Sequence, residues 1–346
     1  GRLREAVADR LVSDVPLGCF LSGGIDSSLV VAVAREVVGP GLRTFNVSFP
    51  GTSRDEASYA GSVARALGTQ HTRIDIAEAE MESSYLETLR LATEPLGDDS
   101  FIPTYFISRA AREHVTVALS GDGGDELFGG YPSYTQIRLA GALHGPALLL
   151  PRSLGKVLPD SLAKALALFQ MSSAAERALW LGSLWKEEEL GSLLVRPAPA
   201  ESGRKRFLEQ WEMCGGRCLQ DQFSLVDIAN YLESDILTKV DRASMAASLE
   251  VRSPLLDERI FDFTAQTGLR CTPLGRKKRA LRELLARRVD PRMFEGPKRG
   301  FGLPINEWFR GGLRPVLEEY TSAARLRSGG LLDPGYVARM RELHMS

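Results

Sequence analysis

Two short loops hold most of the residues in this chain that could do chemistry. Ser22-Gly23-Gly24-Ile25-Asp26-Ser27-Ser28 combines hydroxyls, two glycines and a carboxylate. Ser120-Gly121-Asp122-Gly123-Gly124-Asp125-Glu126 repeats the theme with more acid. Glycine lets a backbone turn tightly and approach a ligand closely. Serine hydroxyls donate to anionic oxygens, and the N–H groups at a helix start attract them. The combination suits a polyphosphate. One carboxylate from each loop, Asp26 and Asp125, suits a magnesium ion shared with phosphate oxygens. No G-x-x-x-x-G-K-[ST] string occurs, so neither loop is a Walker loop.

Elements must exist to position these loops. Apolar runs Leu17–Leu21 and Val115–Leu119 read as buried strands ahead of them, and the first loop enters a helix-like stretch, Leu29–Val38. Further strands are expected at Arg43–Phe49 and His71–Ile76, and helices at Arg54–Leu67, capped by Ser53, and Glu78–Ala92. This alternation predicts an α/β fold with a doubly wound parallel sheet. Ligands of such sheets sit beyond the carboxyl ends of the strands, where both loops fall. After Tyr131 strand-like alternation stops, and helices are expected at Leu162–Phe169, Leu225–Leu249 and Lys277–Arg288. Residues 1–140 therefore read as an α/β core. Residues 141–346 read as a mostly helical C-terminal half that completes the same site.

Composition narrows the classes. The 346 residues are 44% apolar and carry a formal net charge of −1, which gives no overall pull toward nucleic acid or membrane. Four cysteines are too few for a disulfide scaffold and fit a reduced, cytoplasmic setting. Cys214 and Cys218 lack partners at zinc spacing, and the four histidines show neither metal nor triad spacing. No apolar run approaches the roughly 20 residues of a membrane span. The chain starts at Gly1 rather than Met, as an excised or processed piece would.

The first loop resembles the S-G-G-x-D-S signature of N-type ATP pyrophosphatases, which cleave ATP between the α and β phosphates. The second, continuing Leu127-Phe128-Gly129-Gly130-Tyr131, is similar to the asparagine synthetase branch, class B type, in its C-terminal synthetase domain. Three more strings carry the likeness: Thr44–Gly51, Ser248–Asp257 and Pro297–Pro304. Together they span nearly the whole chain in the family's order. The resemblance implies an adenine nucleotide α-hydrolase-like sheet, ATP and Mg2+ as cofactors, and a two-step reaction. A carboxylate, aspartate in the parent enzymes, attacks the α phosphate and releases pyrophosphate; ammonia then displaces AMP to leave an amide. The parent enzymes carry an N-terminal glutaminase domain that this chain lacks, so a glutaminase domain or subunit is expected in the full protein. A homodimer is compatible with the resemblance.

By similarity, Ser22, Gly23, Gly24, Asp26, Ser27 and Ser28 hold the pyrophosphate portion, Leu21 and Val47 flank the nucleotide, and Ser120 and Gly121 touch it. Asp26 and Asp125 ligate the magnesium. Lys298 is the expected catalytic cation at the α phosphorus, where it stabilises charge that develops in the transition state. Asp122 stands where many relatives carry Glu and is expected to handle the intermediate or the amine proton. Asp98-Asp99-Ser100 occupies a stretch where the parents place an arginine, which leaves the acyl substrate open. Asp235, Lys239, Asp241 and Arg242 share a predicted helix, read either as a substrate edge or as surface ion pairs. Glu250 and Arg252 read as a structural ion pair, and Gly275–Arg279 as a solvated helix start. The rival readings are a β-lactam synthetase or lasso-peptide cyclase using an internal amine, a non-catalytic nucleotide-binding module, and a tRNA-modifying pyrophosphatase. The last would need a basic face or catalytic cysteines, and neither is found.

Overall fold

The computed structural model describes residues 1–48, 57–151, 153–154, 157–196, 200–216, 218–271, 277–295 and 303–346. Phe49, the expected cap Ser53, the start of the Arg54–Leu67 helix, the Pro297–Gly302 part of the last string and Lys298 itself lie outside them.

The chain forms two compact units: Gly1–Tyr131 with Ile228–Leu303, and Pro132–Asp227 with Pro304–Ser346. The first holds both loops. Its elements are α1 (Arg2–Arg10), β1 (Leu17–Phe20), α2 (Ile25–Val38), β2 (Arg43–Ser48), α3 (Ala57–Leu67), β3 (Gln70–Asp75), α4 (Glu78–Ser83), α5 (Tyr85–Arg90), α6 (Phe101–Arg112), β4 (Val117–Leu119) and α7 (Gly124–Phe128). After the other unit come a π-helical stretch (Ile228–Leu237), α8 (Thr238–Ala246), β5 (Glu250–Arg252), α9 (Glu258–Thr267) and α10 (Arg279–Ala286).

The five strands run parallel in the order β3-β2-β1-β4-β5. β1 pairs Phe20 with Phe45 on one side and Cys19 with Leu119 on the other. Helices cover both faces. Cys19, Leu21 and Leu119 face a core built with α1, α2, α3 and α10, while Phe45 and Ala118 face a second cluster with Ala111, Val115 and Leu249. Strands buried on both faces read as continuous apolar runs rather than alternating ones, which is why β1 and β4 stood out. Gly18 is demanded by packing: a Cβ there would lie 2.6 Å from the Phe45 ring.

The fold is the doubly wound α/β arrangement expected, with differences in detail. The Glu78–Ala92 helix is two helices broken at Ser84, whose hydroxyl donates to the Glu80 carbonyl at 2.7 Å. β5 overturns the expectation that strands end before Tyr131. It is three residues long and carries two charges, so no hydrophobic period announces it. Arg252 pairs with Glu250 at 2.6 Å, as expected, and also donates to the Arg10 and Val12 carbonyls. The expectation of four reduced cysteines is overturned at Cys218 and Cys271, which are disulfide-bonded because the fold supplies a pairing that sequence spacing does not show; Cys19 and Cys214 are free thiols. Burial pushes the Cys19 thiol up to about 12, which disfavours its thiolate form.

The second unit is helical, with Tyr134 and Trp211 packed around the buried Phe223. Among the described residues, no helix is long and apolar enough to cross a membrane.

Asp257 ties α1 to α9. Its carboxylate caps α9 through the Arg259 N–H at 3.0 Å and accepts from the Arg259 and Arg10 guanidinium groups at 2.7 and 2.5 Å. Hydrogen bonds from Arg259 outweigh the opposing effect of burial, and Arg10 adds attraction, so the carboxyl titrates well below its usual range. A depressed folded-state pKa contributes stability above the ordinary value near 4, and that contribution is lost as pH falls below it. Asp257→Asn is expected to lower stability near neutral pH by about 1–3 kcal/mol. It should also flatten the loss of melting temperature between pH 4 and pH 3 relative to the parent. Thermal melts across that range check both effects.

Candidate active site

The strand order reverses between β1 and β4: β2 and β3 extend one way from β1, β4 and β5 the other. At such a switch point the loops leaving the two strands diverge and open a crevice. The two serine–glycine loops are those loops.

The first loop is folded around its own hydroxyls. Leu21, buried, donates its N–H to the Phe45 carbonyl at 2.8 Å. Ser27 Oγ accepts the Ser22 N–H at 3.2 Å and lies 2.9 Å from Ser22 Oγ, while Ser22 Oγ accepts the Gly24 N–H at 3.2 Å. Gly24 starts α2 with no side chain capping the helix, and the positive end of the helix dipole lies at this loop. Gly23 has φ +81°, and a Cβ there would press on the backbone of Tyr59 and Ala60 in α3. Ser28 is fully buried within α2, and Val47 is buried at the carboxyl end of β2.

The second loop is pinned by β5 and the turn after it. The Ser120 N–H donates to the Arg252 carbonyl at 2.9 Å, and Ser120 Oγ lies 3.0 Å from Ser253 Oγ. The same hydroxyl donates to Asp122 Oδ2 at 2.7 Å, which fixes that carboxylate over the loop. Gly123, at φ +87°, lies under the Leu256 side chain. In α7, the Glu126 carboxyl is buried and accepts from Tyr131 Oη at 2.6 Å. Burial raises its pKa, partly offset by that hydrogen bond, with Asp125 and Asp122 adding repulsion.

The loops meet. A Cβ on Gly121 would sit 2.7 Å from the Ser27 nitrogen and 3.0 Å from Asp26 carbons. Gly124 likewise leaves room for the Asp26 carboxylate. The structure thus brings together Ser22, Gly23, Gly24, Asp26, Ser27, Ser120, Gly121, Asp122 and Asp125. Both glycine positions are there because the opposite loop occupies the space a side chain would need.

Sequence reasoning missed one residue here. Lys278 lies in the run read as a solvated helix start, yet its side chain is 5% exposed. Its ammonium donates to Asp26 Oδ2 and, at 2.7 Å, to Asp125 Oδ1. It caps α10 in the left-handed region, at φ 52° and ψ 38°, a conformation that costs a non-glycine residue about 1 kcal/mol or more. Its N–H is held by the Phe128 carbonyl at 3.2 Å. A signal was present: Lys278, Leu281 and Leu285 are spaced i, i+3, i+7, and both leucines are buried.

Two carboxylates already converging on one cation fit a divalent ion in donor chemistry. Among the described residues no three His, Cys, Asp or Glu side chains group to hold a metal, so phosphate oxygens and water would complete the shell, as is usual for magnesium.

Asp98 accepts from Lys239 Nζ and from Ser100 Oγ and N–H, at 2.6 to 2.8 Å. Burial would raise its pKa, but Lys239 and Ser100 prevail and hold it below the usual range. Asp235, on the π-helical stretch, is raised by burial and by Asp98. Asp99 accepts the Leu303 N–H at 3.3 Å. The acidic pair is thus paired internally rather than presented bare.

Comparison with known proteins adds a name to this arrangement. The family model described as asparagine synthase matches residues 1–346. A putative glutamine-hydrolysing asparagine synthetase of Mycobacterium bovis is 33% identical over 99% of this chain and 53% of its own length. Asparagine synthetase 1 of Bacillus subtilis is 32% identical over 96% of this chain and 54% of its own. A putative asparagine synthetase of Methanocaldococcus jannaschii is 37% identical over 70% of this chain and 48% of its own. The chain spans about half the length of these curated relatives. With the match running from its first residue to its last, the chain belongs to the asparagine synthase family.

Proposed function

We propose that this chain is the ATP-dependent, amide-forming ligase part of a larger protein. It adenylates a carboxylate, L-aspartate in the first instance, and passes the acyl group to ammonia to give asparagine and AMP. The observation that carries this reading is the seating of Gly121 against Asp26 and Ser27, which makes one crevice of the two loops.

In the first step a substrate carboxylate oxygen bonds to the α phosphorus and the bond to the bridging α–β oxygen breaks, so pyrophosphate leaves. The uncapped start of α2, with Ser22 and Ser27, binds the departing phosphates. Asp26 and Asp125 hold Mg2+, which when bound neutralises phosphate charge and orients the leaving group. Lys298, on the Pro297–Pro304 string, meets the charge that builds on the α phosphorus. In the second step ammonia attacks the acyl carbon, AMP departs, and Asp122, held by Ser120, takes the proton lost by nitrogen. The relatives are named as glutamine-hydrolysing; the remainder of the full protein is proposed to supply ammonia in that way.

ATP–pyrophosphate exchange screened over carboxylates tests the reading. Exchange dependent on L-aspartate and Mg2+ is expected, and absence of exchange with every carboxylate contradicts it. Asp125→Asn is expected to raise the Mg2+ concentration needed for half-maximal exchange by about 10–100-fold. An unchanged Mg2+ requirement would remove Asp125 from the metal site.

A further inference from the structure

Lys278 stands where the metal would stand. Its ammonium lies between Asp26 and Asp125, the two carboxylates proposed to bind Mg2+. The arrangement is built rather than incidental. The lysine backbone is in the left-handed region, its N–H is held by Phe128, and Gly130 leaves the gap through which its stem passes, since a Cβ there would collide with Lys278 Cε and Asp125 Oδ1.

We propose that Lys278 is an internal counter-ion that keeps bare divalent ions out and yields the carboxylates only to the metal–nucleotide complex. The inference rests on the assignment of Asp26 and Asp125 to Mg2+. Magnesium requires oxygen ligands at about 2.0–2.1 Å in near-octahedral geometry, so it and the ammonium cannot share the pair. A bare ion would have to expel a buried ammonium and leave it without partners, which is strongly unfavourable. A triphosphate changes the balance, because its oxygens offer the expelled ammonium new partners at the moment the metal arrives. Metal and nucleotide therefore bind together, and each binds poorly alone.

Manganese binding, followed by electron paramagnetic resonance on the full chain with and without a non-hydrolysable ATP analogue, tests this. The parent is expected to bind Mn2+ with the analogue and far more weakly without it. Lys278→Met should bind bare Mn2+ at least about tenfold more tightly than the parent, while Lys278→Arg, which keeps the charge, should behave like the parent. If Lys278→Met binds bare Mn2+ no more tightly than the parent while Asp125→Asn weakens Mn2+ binding with the analogue, the metal site stands and the counter-ion role falls. If Asp125→Asn has no effect, the metal assignment fails and this inference with it. Should Lys278→Met be unfolded without metal, added Mn2+ is expected to restore its circular dichroism, and failure to do so overturns the proposal.

Discussion

Replacing Lys298 with alanine is expected to lower carboxylate-dependent ATP–pyrophosphate exchange by about 10²–10³-fold while leaving ATP affinity within a few-fold of the parent. The reasoning is electrostatic. Attack on the α phosphorus concentrates negative charge that the ground state spreads over three phosphates. A fixed cation there lowers the barrier more than it tightens binding. A lysine between proline and arginine would ordinarily be a solvated surface residue; its proposed role rests on the resemblance carried by the Pro297–Pro304 string. Lys298→Arg keeps the charge but places it on a planar fork, so partial recovery is expected. Near-parental exchange by Lys298→Ala would refute the role.

The second large effect is expected from Gly121→Ala. The new Cβ would lie 2.7 Å from the Ser27 nitrogen, and a backbone neighbour cannot rotate aside as a side chain can. The loops must part by several tenths of an ångström, which misplaces Asp26 and the amides of α2 relative to Asp125. Displacements approaching 1 Å cost on the order of 10²-fold in rate, so kcat/KM for ATP is expected to fall by about that much. Overpacking should cost a further 1–3 kcal/mol of stability, on the order seen in other cores. Gly61→Ala is the control: it lies in α3 with open space around it, and it should leave both quantities near parental values. Equal behaviour of the two variants would show that the loops do not need their close approach.

The parts legible in the sequence were those in which local pattern and tertiary role agree. β1 and β4 are buried on both faces, so Leu17–Leu21 and Val115–Leu119 read as continuous apolar runs, and the loops after them inherit their meaning from strand position. The helix starting at Ile25 was read from Leu29, because Asp26, Ser27 and Ser28 look like loop until the chain is wound. β5 was illegible: Glu250–Arg252 forms a strand only because Thr116 and Val117 offer it a ladder. The π-helical stretch Ile228–Leu237 keeps a helical apolar rhythm, so its sequence does not distinguish it from ordinary α-helix. Lys278 was misread for a physical reason. A run of basic residues is normally solvated, and its burial depends on two carboxylates about 150 and 250 positions earlier in the chain, a pairing no local window contains.

The acyl specificity is less legible for a similar reason. Asp98 and Asp99 look repulsive toward a substrate carboxylate when read in order. In the fold Asp98 is matched by Lys239, 10% exposed at its side chain, and Asp99 accepts a backbone N–H. Local charge was misleading there because its partners come from distant segments.

The central claim is that the turns after β1 and β4 jointly grip the triphosphate and its divalent ion. A crystal structure of the full chain with Mg2+ and a non-hydrolysable ATP analogue measures this directly. The account predicts phosphates against the amides of Gly23, Gly24 and Gly121, with the metal on Asp26 and Asp125. A nucleotide bound away from this crevice, or one touching only one of the two turns, would contradict it.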